Sequence, residues 1–222
     1  MTIIDFLRDP PPWFDTSHYT MTEIMIFFSA AMLWVGAYIV IIKNIIKRKA
    51  VGIPAIAVSL NFGYEVTTAF FSLPDMGRVV VFGYWAWMLL DLFIVISVFR
   101  YGHQQIINPY IRKHFRALFS VGLLVAFAAE FFFIREIDIP MAVYDAYIIN
   151  LVMSVCFIYL VFIPDFKGNS LAVAWLKFLG TGWTSVMFQM KYPDNHFLTT
   201  MYIAVALFDI FYIYLLHKRK RA

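Results

Sequence analysis

Residues 22–42 read TEIMIFFSAAMLWVGAYIVII, and a cluster of bases, Lys43, Lys47, Arg48 and Lys49, follows at once. The one charged side chain in that stretch, Glu23, sits at its edge. About 20 apolar residues in a helix cross the hydrocarbon core of a bilayer, so the run reads as a transmembrane helix and the bases as its flank. Six further runs share the design, at about 52–72, 78–98, 115–134, 141–163, 170–189 and 197–216, each bounded by charge, Pro or Gly. Seven crossings take roughly 140 positions and leave about 80 for turns and ends, which excludes a separate soluble catalytic domain. The bulk composition agrees. The 222 residues are 62% hydrophobic and 14% charged with a mean hydropathy of +0.75, where a soluble domain is about half apolar and a quarter charged. The predicted fold is all-α: a polytopic, seven-transmembrane-helix bundle forming a single domain over residues 1–222.

The bases orient it. Lys43, Lys47, Arg48, Lys49, Arg100, Arg112, Lys113, Arg116, Lys167, Lys218, Arg219, Lys220 and Arg221 fall on one side, against Arg8, Arg78, Arg135 and Lys191 on the other. Positive residues concentrate on the cytoplasmic side, so the amino terminus is expected outside and the carboxyl terminus in the cytoplasm. The net charge of +4 is therefore topological, and no nucleic-acid partner is expected. Residues 1–21 are expected to be non-helical or interfacial: Asp9-Pro10-Pro11-Pro12-Trp13 cannot continue a helix, and without a basic leader the segment is no cleaved signal. It reads as a structured lip at the membrane surface.

Five of the 14 carboxylates, Glu65, Asp91, Glu130, Asp145 and Asp209, fall inside the apolar runs, and only one base, Lys177, joins them. An intramembrane acid is costly and marks a functional site by default. One ammonium cannot pair five acids, so most are expected to be protonated by desolvation and mutual proximity, and a protonated carboxyl in a dry cavity is a potential proton donor. Helical spacing gathers polar stripes around them: Asn61, Glu65, Thr68 and Ser72; Tyr84, Trp87 and Asp91; Tyr202, Asp209 and Tyr212; and, without an acid, Tyr147, Asn150 and Ser154. Such stripes face protein or water rather than lipid. At about 1.5 Å per residue, Glu130 and Asp145 lie roughly 6 Å from the outer ends of their runs, Glu65 about 10 Å, and Asp91 and Asp209 about 18–20 Å. An aromatic, acid-lined cavity opening toward the outer leaflet fits these depths, with 19% aromatic residues to build it. Lys177 is read as a side chain that snorkels to the cytoplasmic surface.

Other chemistries lack their residues. The five histidines, at 18, 103, 114, 196 and 217, lie in loops or at ends without a metal-ligand spacing, so no metal and no cofactor is expected. No acidic pair inside a span suits magnesium diphosphate. Cys156 stands alone, without a disulfide partner. The last span carries no lysine for a retinal Schiff base, and no pair of broken helices marks an inverted-repeat transporter. Acid catalysis or a small proton-coupled membrane transporter remains.

Asn61-Phe62-Gly63-Tyr64-Glu65 in the second run, Trp87-Met88-Leu89-Leu90-Asp91 in the third and Asp209 in the last resemble the small integral-membrane, seven-span terpene cyclases of fungal and bacterial meroterpenoid and indole-terpenoid biosynthesis. That family has an N-x-x-W-E pattern in its second span; Tyr64 stands here where its fungal members carry Trp. The resemblance implies a lyase- or isomerase-type enzyme of secondary metabolism. It would protonate a terminal epoxide or alkene on a farnesyl or geranylgeranyl chain, driving a metal-independent carbocation cascade without a cofactor. By the same resemblance Glu65 is the proton donor, oriented by Asn61, and Asp209 is its partner acid, bonded to it or reprotonating it. Asp91 forms the lower wall or takes the final proton. Tyr64, Tyr84, Trp87, Glu130, Asn150, Tyr202 and Tyr212 complete the expected substrate-binding set, the rings stabilising positive charge. The partners implied are a prenylated hydrophobic small molecule and a lipid bilayer, of either a bacterial cell or the fungal endoplasmic reticulum. The oligomeric state stays open.

Overall fold

The computed structural model describes residues 3–221, and among them it is all-helical, with no strand. In chain order the helices are α1 Ile3–Arg8, α2 Met21–Arg48, α3 Ala55–Phe70, α4 Arg78–Tyr101, α5 Pro109–Lys113, α6 Phe115–Glu136, α7 Val143–Val161, α8 Leu171–Lys191 and α9 His196–Arg221. Six of them, α2, α4, α6, α7, α8 and α9, are long and apolar enough to cross a membrane. Their outward faces carry large apolar side chains, such as Leu124 at 72% exposure and Leu207 at 62%. Such a surface suits hydrocarbon and would be a liability in water. The seventh expected run differs. Residues 52–72 shorten to the 16-residue α3, about 24 Å long against the roughly 30 Å of a hydrocarbon core. Its neighbours Leu73 and Met76 are apolar and buried but belong to the connection that follows, which Pro74 keeps out of the helix.

Successive long helices run antiparallel, giving an amino-terminal face, where α2 begins, and a carboxy-terminal face, where α9 ends. α3 is the inner helix, packed against α4, α6 and α7, while α2 lies along α8, α8 along α9, and α9 along α7. The carboxy-terminal face is tied by side-chain bonds to the backbone, those of Gln105 at least partly buried and those of Arg48 exposed. The Gln105 amide accepts from Ala55 N at 2.8 Å and donates to Val51 O at 3.0 Å and Ile53 O at 2.6 Å. Arg48 donates to the carbonyls of Lys167 and Asn169. The Ala55 bond satisfies an open N–H at the start of α3, and the others satisfy carbonyls that the helix-free turns leave open.

The lead-in is only partly what its prolines dictate. Within the segment expected to be non-helical or interfacial, Ile3–Arg8 form one short helix whose Phe6 is buried against Leu73, Val81 and Trp85. From Asp9 to Tyr19 the chain is non-helical and runs as a strap over the amino-terminal face. Arg78 N and Val79 N donate to Pro12 O and Trp13 O at 3.0 and 3.3 Å, and Asp15 N donates to Met76 O at 3.1 Å. The strap thereby caps the first turn of α4. Gly77 makes this possible: its φ is +109°, and a Cβ there would stand 2.6 Å from Trp13 O. At its far end Thr20 and Glu23 form a reciprocal capping box that starts α2.

Candidate active site

Between α2, α3, α4, α7 and α8, from mid-bundle toward the amino-terminal face, lies a cavity of about 120 Å³. Its walls are aromatic: Phe27, Trp34 and Tyr38 from α2, Tyr64 from α3, Tyr84 and Trp87 from α4, Tyr147 from α7 and Phe188 from α8. Asn61, Glu65, Asn150, Thr181 and Thr184 are its polar side chains.

Glu65 reaches this space from the inner helix. Its side chain is buried, and its Oε2 has no hydrogen-bond partner among the described residues. One turn earlier on α3, Asn61 Nδ2 donates to Asp91 Oδ2 at 2.5 Å, and Tyr38 OH donates to Asp91 Oδ1 at 2.9 Å. Asn61 Nδ2 also lies 3.3 Å from Tyr38 OH. Asp91 thus has both oxygens engaged just below the cavity floor, while the neighbouring Glu65 keeps one oxygen free.

The rest of the wall is pinned by hydroxyls. Tyr64 OH lies 2.9 Å from Tyr84 OH and donates to Met141 O at 3.2 Å, joining α3 and α4 to the turn before α7. The Tyr84 and Trp87 rings meet edge to face at 5.6 Å. Tyr147 OH lies 2.9 Å from Ser185 Oγ, and Asn150 Oδ1 accepts from Thr181 Oγ1 at 3.4 Å. The turn before α7 is strained, with Met141 at φ +69° and Ala142 at φ +51°. Asp138 holds it, accepting from Ile139 N, Tyr144 N and Asp145 N at 2.7–2.9 Å. Burial pushes the Asp138 carboxyl above the usual range despite those three donors. On the amino-terminal face, Tyr19 OH donates to Asp75 Oδ1 at 3.0 Å, while Lys191 donates to His18 O and sits over the Tyr19 ring. Burial, reinforced by Asp75, holds the Tyr19 phenol well above its ordinary range.

Of the residues expected from sequence, Glu65, Asn61, Tyr64, Tyr84, Trp87 and Asn150 line this cavity together, and Asp91 adjoins it. Asp209 does not. Its two oxygens each lie 2.8 Å from Lys177 Nζ, which also donates to Ser154 Oγ at 2.7 Å. Both partners are buried, so Lys177 does not snorkel to the surface, and the expected bond between Asp209 and Glu65 is not made. Glu130 is likewise elsewhere, its carboxyl against that of Asp145 behind α3. Tyr202 stands outside the lining, its ring 4.7 Å from that of Tyr147, and Tyr212 stacks on Phe157 at 5.0 Å. Helical period places a residue on a stripe but leaves open which neighbour the stripe meets. Two lining stripes escaped notice: Phe27, Ala31, Trp34 and Tyr38 on α2, at steps of 4, 3 and 4, and Thr181, Thr184 and Phe188 on α8, at steps of 3 and 4. The common step was their one signal, and their apolar or weakly polar members look like ordinary span residues.

The family model described as Pyr4-like transmembrane terpene cyclases matches residues 4–222. The Pyr4-family terpene cyclase mfmH of Annulohypoxylon moriforme is 20% identical over 217 residues, covering 93% of this chain and 86% of that protein. No solved structure matches.

Proposed function

The chain belongs to the Pyr4-like transmembrane terpene cyclases, and on that premise we propose that it cyclises a farnesyl or geranylgeranyl chain carried on an aromatic or peptide-derived head group, with Glu65 as the acid that starts the reaction. The observation that carries the assignment is the free, buried Glu65 oxygen facing an aromatic cavity, beside an Asp91 whose oxygens are both engaged.

The protonated Glu65 carboxyl gives its proton to the oxygen of a terminal epoxide, whose C–O bond breaks, or to the terminal carbon of an alkene. The electron pairs of successive double bonds then close rings, and a C–H bond yields its proton to end the cascade. Product and substrate are isomers of equal mass. The partner-acid role expected of Asp209 falls to Asp91, which, held by Asn61 and Tyr38, keeps negative charge off the pair's second member and leaves the proton on Glu65. Trp34, Tyr84, Trp87 and Tyr147 offer ring faces to the moving charge, each worth about 2 kcal/mol or more when desolvated. The same rings exclude water, which would otherwise quench the cation as an alcohol. The substrate reaches the site from the bilayer, where its prenyl chain partitions. The bundle is proposed to cross seven times, the inner α3 counting as the short crossing, with the amino terminus outside and the basic carboxy-terminal face in the cytoplasm.

The test is Glu65→Gln, which keeps size and hydrogen bonding and deletes the acid. Membranes carrying either protein are incubated with a farnesylated aromatic probe bearing a terminal epoxide, and isomeric products are followed by chromatography and mass spectrometry. The unaltered protein should yield a cyclised isomer and the variant none. Equal product from both refutes the assignment.

A further inference from the structure

Asp209 is a buried acid with no place in the cavity, and the base it holds points somewhere specific. Beneath the cavity floor lies a smaller space lined by Trp34, Tyr38, Asn61, Asp91, Phe157 and Lys177, among others. Lys177 and Asp91 therefore border one chamber from opposite helices, whereas Asp209 borders neither chamber. All three side chains are buried, so none can fall back on water for its charge.

We propose that Asp209 serves the reaction as the counter-ion that keeps Lys177 away from Asp91, and that its carboxyl transfers no proton. The inference rests on the cyclase reading for its activity readout and on the geometry for the rest. Lys177 spends its three donors on the two Asp209 oxygens and Ser154 Oγ, a full complement for an ammonium. Replace the Asp209 carboxylate by an amide and an ammonium is left buried with neutral acceptors alone, the amide oxygen and Ser154 Oγ. Its four-carbon stem is flexible, and the acid remaining on its chamber is Asp91. Capture of Asp91 by Lys177 would compete with the bonds from Tyr38 and Asn61, and so disturb the acid pair. The reverse loss is mild, because Asp209 borders neither chamber and, without its lysine, has no route to Asp91 or Glu65. Asp209 and Lys177 are thus predicted to be asymmetric: the acid matters because the base is there.

The test compares Asp209→Asn, Lys177→Met and the double variant, each as purified full-length protein in detergent, with the farnesylated epoxide probe. Turnover per folded molecule should fall about 100-fold in Asp209→Asn, through kcat with KM nearly unchanged. In Lys177→Met and in the double variant it should stay within about fivefold of the unaltered protein, the non-additivity that marks a coupled pair. A double variant as inactive as Asp209→Asn overturns the inference, since the carboxyl then acts in its own right. So does a Lys177→Met variant that loses turnover equally. If the unaltered protein leaves the probe unchanged, the cyclase reading fails instead, and thermal unfolding decides the ion-pair part. Asp209→Asn should then melt below both the unaltered protein and the double variant, and equal melting points overturn it.

Discussion

Replacing Gly63 by Ala puts a methyl group where α6 crosses the inner helix most closely. The new Cβ would stand 3.0 Å from Glu130 Cγ and 3.1 Å from both Phe127 Cα and Phe127 N, while ordinary contact begins near 3.4 Å. Two of these three atoms are backbone, so no side-chain rotation relieves the clash, and α6 must move away by about 0.3–0.4 Å along with the carboxyl of Glu130. Overpacking of this kind costs about 1–3 kcal/mol, against which Ala gains up to about 1 kcal/mol over Gly in helix propensity. Gly182→Ala isolates that gain, because nothing lies within 4 Å of a Cβ there. The two variants should therefore differ by about 1–3 kcal/mol, or about 2–12 °C in melting point for a chain of this length. Thermal unfolding of detergent-solubilised protein, read by intrinsic tryptophan fluorescence, measures the difference. A Gly63→Ala protein that melts level with or above Gly182→Ala would show that α3 and α6 are not in contact at this point.

Trp87→Leu keeps an apolar wall and removes a ring face, so folded yield should hold while the ratio of cyclised products changes in the chromatogram; an unchanged ratio makes Trp87 a packing residue. Asp138→Ala leaves three N–H groups without their acceptor and frees a strained turn, so it should lower stability by about 1–3 kcal/mol, with Asp138→Asn intermediate because one acceptor oxygen remains. Equal melting of Asp138→Ala and the unaltered protein would show that the turn holds itself.

The acids and their stripes were legible because charge inside an apolar run is conspicuous and because 3.6 residues per turn links Asn61 to Glu65 and Tyr84 to Trp87 and Asp91. The α2 wall was not, since Phe27, Trp34 and Tyr38 look the same in a sequence whether they face lipid or a cavity. The extent of α3 was overread for a related reason. Ile53 before Pro54 and Phe71 after the last turn carry the apolar signal past both ends of the helix. The misplacement of Asp209 has a different origin. Its depth is similar to that of Asp91, but whether an acid meets another acid or a lysine depends on rotation about the helix axis, which depends on packing of every neighbour.

The brevity of α3 has a consequence for where the protein can work. The outer helices must match the thickness of the surrounding lipid, because their flanks are wetted by it. α3 meets protein along nearly all its length, with only its end residues Ile56 and Phe70 exposed. The helix that carries the acid is therefore exempt from that match. A thinner or thicker membrane reaches Glu65 only indirectly, through the tilt of α2, α4, α7 and α8, which carry the rings around it.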